Sequence, residues 1–96
     1  MRNKQKYIYA MQCNDFVKFG MSHRPEFRIK ELQIGNPYKI ILLLAVPYNS
    51  CHLIEKQIHH YFDGKRETGE WFRVDDAIRD FVKYLKNIEY ELINRK

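Results

Sequence analysis

Five side chains in this sequence have types and spacing that could do chemistry together: Tyr9, Lys18, Arg28, Glu55 and His59. A guanidinium presents a planar fork of donors that matches a phosphate, and an ammonium adds a compact positive charge. Glu55 and His59 are i, i+4 neighbours, so on a helix they share one face. The spacing alone allows an aromatic hairpin, an arginine-bearing helix and a Glu-His helix to meet where an anion such as a phosphodiester could bind, each member being a weak signal by itself. Each member also has an ordinary structural reading. Tyr7 and Tyr9 suit any amphipathic strand. Lys18 can be a solvent-facing edge lysine that discourages sheet aggregation. Arg28 can pair on a helix surface with Glu31 or Glu26, and Glu55 with His59 can be a surface pair worth a few tenths of a kcal/mol.

The elements that must position these residues are readable along the chain. Tyr7-Ile8-Tyr9-Ala10-Met11 is rich in aromatic and β-branched residues, Asn14-Asp15 is a turn signal, and Phe16-Val17-Lys18-Phe19-Gly20 alternates apolar and polar sides. The short gap predicts an antiparallel hairpin, on which Tyr9 and Lys18 approach each other if their faces agree. A helix follows, with Pro25 in its first turn, Ile29 and Leu32 on its apolar face and Gly35-Asn36-Pro37 as its stop. The run Ile40 to Val46, bounded by Pro37 and Pro47, predicts a strand buried on both faces at the centre of the sheet. Asn49 or Ser50 can cap a second helix carrying Ile54, Ile58, Tyr61 and Phe62. Lys65 to Gly69 reads as a charged loop, and Trp71 to Val74 as a short apolar segment. Asp75 or Asp76 starts a final helix whose stripe, Ile78, Phe81, Val82, Leu85 and Ile88, faces the core. The expected fold class is α+β: a small mixed or antiparallel sheet of about three main strands flanked by helices, in the order β-β-α-β-α-(β)-α.

Bulk properties narrow the setting. Ninety-six residues suffice for one domain, spanning 1–96, and 45% apolar with 15% aromatic content argues against disorder. The longest apolar run is too short to span a bilayer, and no charged segment precedes an apolar one at the N-terminus. The expectation is a cytoplasmic protein with no membrane partner. Cys13 and Cys51 are expected as free thiols. Together with His52 and the His59-His60 pair, Cys51 lacks the usual zinc-ligand spacing. A net charge of +5 leans towards a polyanion, although the 17 basic residues are scattered rather than blocked.

Taken in order, these segments resemble the GIY-YIG nuclease superfamily. Ile8-Tyr9 looks like the end of its first tripeptide, with Tyr7 in the glycine position, and Lys18-Phe19-Gly20 looks like the second, with lysine replacing tyrosine. The likeness is greatest to the short, phage-type branch. It is carried by Val17-Lys18-Phe19-Gly20, Arg28 with Leu32, Gly35-Asn36-Pro37, Glu55 with His59 and Phe62, and Gly69-Glu70-Trp71-Phe72, covering Tyr7 to about Val74.

The resemblance implies metal-dependent hydrolysis of nucleic-acid phosphodiesters, with DNA the expected substrate. It assigns Glu55 to one Mg²⁺ or Mn²⁺, which such sites hold through one or two carboxylates. Arg28 is assigned to the scissile phosphate, and Tyr9 to the attacking water. A free tyrosine is only about 0.1% ionised at pH 7, so Lys18 is expected to favour the phenolate. His59 is open between contacting phosphate, metal-bound water or Glu55 and closing its helix against Trp71. Tyr7, His23, Lys65 and Arg66 are expected as further substrate contacts. The alternative is a nucleic-acid-binding module of the same fold without catalysis; a third reading is a protein-interaction domain using Tyr48, Tyr61 and Trp71. No separate DNA-reading domain is expected, so the protein would cut with little sequence preference, recognise a DNA structure, act as a homodimer or take its specificity from a partner protein. A phage-encoded protein would act in the host cytoplasm.

Overall fold

In the computed structural model, which describes residues 5–47, 53, 56, 58–60 and 71–94 and the backbone of 66–68, the Asn14-Asp15 turn closes a hairpin between β1 (Tyr7–Cys13) and β2 (Phe16–Ser22). Asn14 takes φ 54°, a left-handed conformation that asparagine tolerates better than most residues. The turn is tied down from outside, because Val74 N–H donates to the Asp15 carbonyl at 2.8 Å. Cys13 faces Phe16 across the turn, and the register then runs Met11 to Lys18, Tyr9 to Gly20 and Tyr7 to Ser22.

Helix α1 (Pro25–Gln33) begins on proline, as the sequence predicts, and its last turn hands over to Gly35 at φ 79°. Glycine meets that left-handed position without a Cβ penalty. Gln33 braces the turn that follows: its Nε2 donates to the carbonyl of Tyr38 at 2.8 Å, and its Oε1 accepts from Ile40 N–H at 2.8 Å. Asn36 Oδ1 accepts from Tyr38 N–H at 2.9 Å. The chain then enters β3 (Ile41–Pro47). Helical backbone is described at residues 53, 56 and 58–60, followed by β4 (Arg66–Thr68), β5 (Trp71–Arg73) and the long helix α2 (Asp76–Asn94). Asp75 caps α2, its carboxylate accepting from Ile78 N–H at 2.9 Å.

The fold is therefore α+β, and the sheet has five strands in the order β3-β1-β2-β5-β4. Every pairing is antiparallel, which decides the mixed-or-antiparallel expectation. Two further expectations are corrected. The predicted loop from Lys65 to Gly69 contains β4, a polar tripeptide whose backbone pairs with β5 at the sheet edge and which has no periodicity to announce it. The apolar run that reads as the central strand is instead an edge: among the described residues β3 pairs only with β1, and Ile41 is 52% exposed. Its apolar character comes from covering elements on its two faces, not from strands on its two sides.

Alternation divides the sheet cleanly. Ile8, Ala10, Val17, Phe19, Leu44, Val46 and Phe72 point to one face and pack with Ile58, Ile78 and Leu85 as the main core. Tyr9, Met11 and Ile40 form a smaller cluster on the other face with Ile29 and Leu32 of α1. The sheet thus lies between α1 and α2. The free side of β3 is guarded from α2, where Glu89 Oε2 accepts from Ala45 N–H at 2.9 Å; satisfying edge donors in this way discourages strand addition.

The edge position of β3 has a measurable consequence. Leu44→Ala is expected to cost about 2–5 kcal/mol in chemical denaturation, whereas Ile41→Ala should cost about 1 kcal/mol or less. Equal losses at both positions would mean that Ile41 is as buried as Leu44.

Candidate functional site

The hairpin register puts Tyr7, Tyr9, Lys18, Gly20 and Trp71 on the sheet face that α1 covers, since directly opposed residues of antiparallel strands share a face. Tyr9 is 2% exposed and its ring lies across Gly20. A Cβ at residue 20 would stand 2.5 Å from Tyr9 Cζ and nearer still to the hydroxyl oxygen. A side chain at residue 20 would require the Tyr9 ring to move, so the glycine of the Lys18-Phe19-Gly20 segment leaves room for the tyrosine opposite it.

The Tyr9 side chain and the Arg28 side chain of α1 lie near enough to interact. Arg28 also donates to Glu31 Oε1 at 3.2 Å, one turn along the helix. The Glu31 hydrogen bond, and after it the interaction with Tyr9, raises the Arg28 pKa above its ordinary value, so the guanidinium stays charged. The Arg28 side chain is 44% exposed and its pairing with Glu31 is a surface ion pair, which contributes little and exchanges readily for a stronger anion. A phenol and a fixed cation at one spot can orient a phosphate and polarise a water beside it.

Lys18 is not the edge lysine of its ordinary reading. It lies on an interior strand, 7% exposed, between Met11 of β1 and Trp71 of β5. Along β2 it is two residues from Gly20, roughly 7 Å at strand rise, so its face agrees with that of Tyr9. Tyr7 is the next residue along that face of β1 and opposes Ser22, whose hydroxyl accepts from Arg24 N–H at 2.9 Å. His23 follows, exposed, with Nδ1 3.2 Å from the Gln5 carbonyl.

His59 makes different contacts. Its Nε2 is 3.4 Å from the carbonyl of Phe19, the first β2 residue beyond the β5 pairing, and its ring packs on buried Phe72 with centroids 5.7 Å apart. These contacts join the helical segment to the sheet, and none described joins His59 to Tyr9 or Arg28. Glu55 and Lys65 lie outside the described residues, as does the side chain of Arg66. Among the described residues no group of three or more His, Cys, Asp or Glu side chains could hold a metal. Glu31 is the one carboxylate described in contact with the Tyr9–Arg28 pair, and Arg28 engages it.

Two contributors escaped the sequence reading. Gln33, with no motif to mark it, anchors the turn after α1 by its three side-chain hydrogen bonds. Phe16, Tyr38 and Trp71 form part of a groove of about 280 Å³ beside Lys18, also lined by Cys13, Asn14 and Asn36. Aromatic residues separated by this much sequence converge only through the register. A larger cavity of about 590 Å³ lies between the sheet and α2 and includes Asp15, Arg73, Asp76, Asp80, Lys83 and Lys86. Its charges are of both signs, and none of the Tyr9, Lys18 or Arg28 side chains borders it.

The fold and this face define a small α+β domain in which a hairpin tyrosine meets an arginine from the next helix. The chain matches the T5orf172 domain over residues 6–89 and belongs to that family, a phage-associated domain related to the GIY-YIG, nuclease-like fold class. The match runs through most of α2, so this helix is part of the family's domain, consistent with the burial of Ile78 and Leu85 in the main core. No curated protein and no solved structure matches the chain. Among the described residues no helix is long and apolar enough to cross a membrane.

The contact between Tyr9 and residue 20 can be measured. Gly20→Ala should destabilise the protein by about 1–3 kcal/mol through overpacking. Adding Tyr9→Ala should recover much of that loss, giving a strongly non-additive double-mutant cycle in urea denaturation. Additive values would mean that the ring does not rest on Gly20.

Proposed function

We propose that this protein is a metal-dependent endonuclease that hydrolyses DNA phosphodiester bonds. The observation that carries the reading is the juxtaposition of Tyr9 with Arg28, close enough for each to feel the other, on the face that also holds Lys18. Membership of a phage-associated family related to nuclease-like folds supports it, as does the net charge of +5, which favours a polyanionic substrate.

In this reading Arg28 exchanges Glu31 for the scissile phosphate and binds it through its donor fork. Tyr9, whose ring is accommodated by the lack of a side chain at Gly20, orients the attacking water and accepts its proton. Lys18 contributes positive charge on the same face, which favours the phenolate form of a nearby tyrosine. Glu55 would hold Mg²⁺ or Mn²⁺, a donor type suited to a hard cation, and the ion would supply Lewis-acid stabilisation of the charge that develops on the phosphate oxygens. Tyr7 and His23 extend the binding surface at one end, and Lys65 and Arg66 complete the proposed contacts. The protein would act in the cytoplasm.

Lys18, in the place of a second tyrosine, favours a second reading: a module of the same fold that binds nucleic acid without cutting it. A plasmid-nicking assay with Mg²⁺ or Mn²⁺ separates the two. Arg28→Ala should lower cleavage roughly 10²–10³-fold, as loss of a transition-state donor does, and Tyr9→Phe roughly 10²–10⁴-fold. Glu55→Ala should abolish metal-dependent nicking. Salt-sensitive binding with no nicking under either metal would select the binding module, and nicking that survives Glu55→Ala would remove the metal assignment.

A further inference from the structure

We propose that the aromatic groove at the turn end of β2 receives an unpaired base of a single DNA strand, whose backbone runs along Lys18 towards Arg28. The proposal rests on the nucleic-acid reading above and adds to it the form of the substrate. Phe16, Tyr38 and Trp71 supply three ring surfaces around a volume of about 280 Å³. That is smaller than the roughly 300–1,000 Å³ typical of sites for drug-sized ligands and suits one planar heterocycle. Bases of any identity stack on such platforms because each has a π-face.

The groove is held open by structure on both sides. Cys13 and Phe16 belong to the hairpin end, and Trp71 is the cross-strand neighbour of Lys18. Tyr38 is fixed from the opposite side by Gln33 and Asn36, and Asn36 Nδ2 also reaches Cys13 Sγ at 3.9 Å across the groove wall. Tyr38 is nevertheless 57% exposed, so its ring is available to a ligand.

Charge complements this lining. Lys18 is opposed to Trp71, so a cation stands next to the groove along β2. Phe16, Lys18 and Gly20 follow one another on the same face at roughly 7 Å intervals. Stacking surface, cation and the Tyr9–Arg28 pair are therefore arranged in one line along β2. A paired base is already stacked within its duplex and cannot enter the groove without being extruded, so the arrangement favours single-stranded or extrahelical nucleotides.

The chain has a single tryptophan, so emission from Trp71 reports on the groove directly. The probes are a short single-stranded oligonucleotide, the same strand with abasic sites, which keeps its charge, and the corresponding duplex, all in EDTA to prevent cleavage. The intact strand should quench Trp71 saturably. The abasic strand should bind roughly 10–100-fold more weakly, as loss of base stacking does, and should leave the emission unchanged. Tyr38→Ala should weaken binding of the intact strand while leaving that of the abasic strand unaltered. Equal affinity for the intact and abasic strands, or unchanged emission at saturation with the intact strand, would overturn the groove assignment while leaving salt-sensitive DNA binding in place. Absence of salt-sensitive binding to all three probes would overturn the nucleic-acid reading itself.

Discussion

Across the two-residue turn of the first hairpin, Cys13 faces Phe16, and that single alignment determines the face of every residue on β1 and β2. Side chains alternate with a period of two, so a slip of one residue would send Ile8, Ala10, Val17 and Phe19 away from the main core. It would also separate Tyr9 from Gly20 and take the tyrosine away from Arg28. Core and candidate site therefore depend on one register. Asn14 at positive φ and the Val74–Asp15 hydrogen bond hold it at the turn, and the tyrosine ring lying on a glycine holds it in the middle.

The two faces of the sheet have different work. The α2 face is a conventional core of aliphatic and phenyl side chains closed by Ile78 and Leu85. The α1 face has a smaller apolar cluster that includes the buried Tyr9, and it also carries a lysine only 7% exposed. An apolar side chain of similar volume would often be as stable or more so at a buried ionic position. A lysine on an interior strand, opposed to Met11 and Trp71, places a positive charge on the α1 face of the sheet.

The outer strands show how the domain ends its sheet. β3 is apolar because α1 and α2 both pack near it, yet its outward edge remains a template for another chain. Glu89 reaches from α2 to Ala45 N–H and occupies one of those edge donors. At the opposite edge β4 is only three residues long, which limits its capacity to add a further strand.

Local signals in the sequence determined most of the elements: proline at the start of α1, glycine after its end, Asn-Asp at the hairpin, and the apolar stripe of α2. Each depends on interactions within a few residues, which is why one sequence suffices to read it. The ordered segments also carried the likeness to a nuclease-like class, with which the T5orf172 family is related. Tertiary structure alone decided that β3 is an edge, because an apolar run records burial without recording what does the burying. It alone decided that Lys18 is buried, that Gly20 leaves room for Tyr9, and that Phe16, Tyr38 and Trp71 share a groove. Those relations join residues far apart in the chain, and only strand register and helix packing bring them within reach of one another.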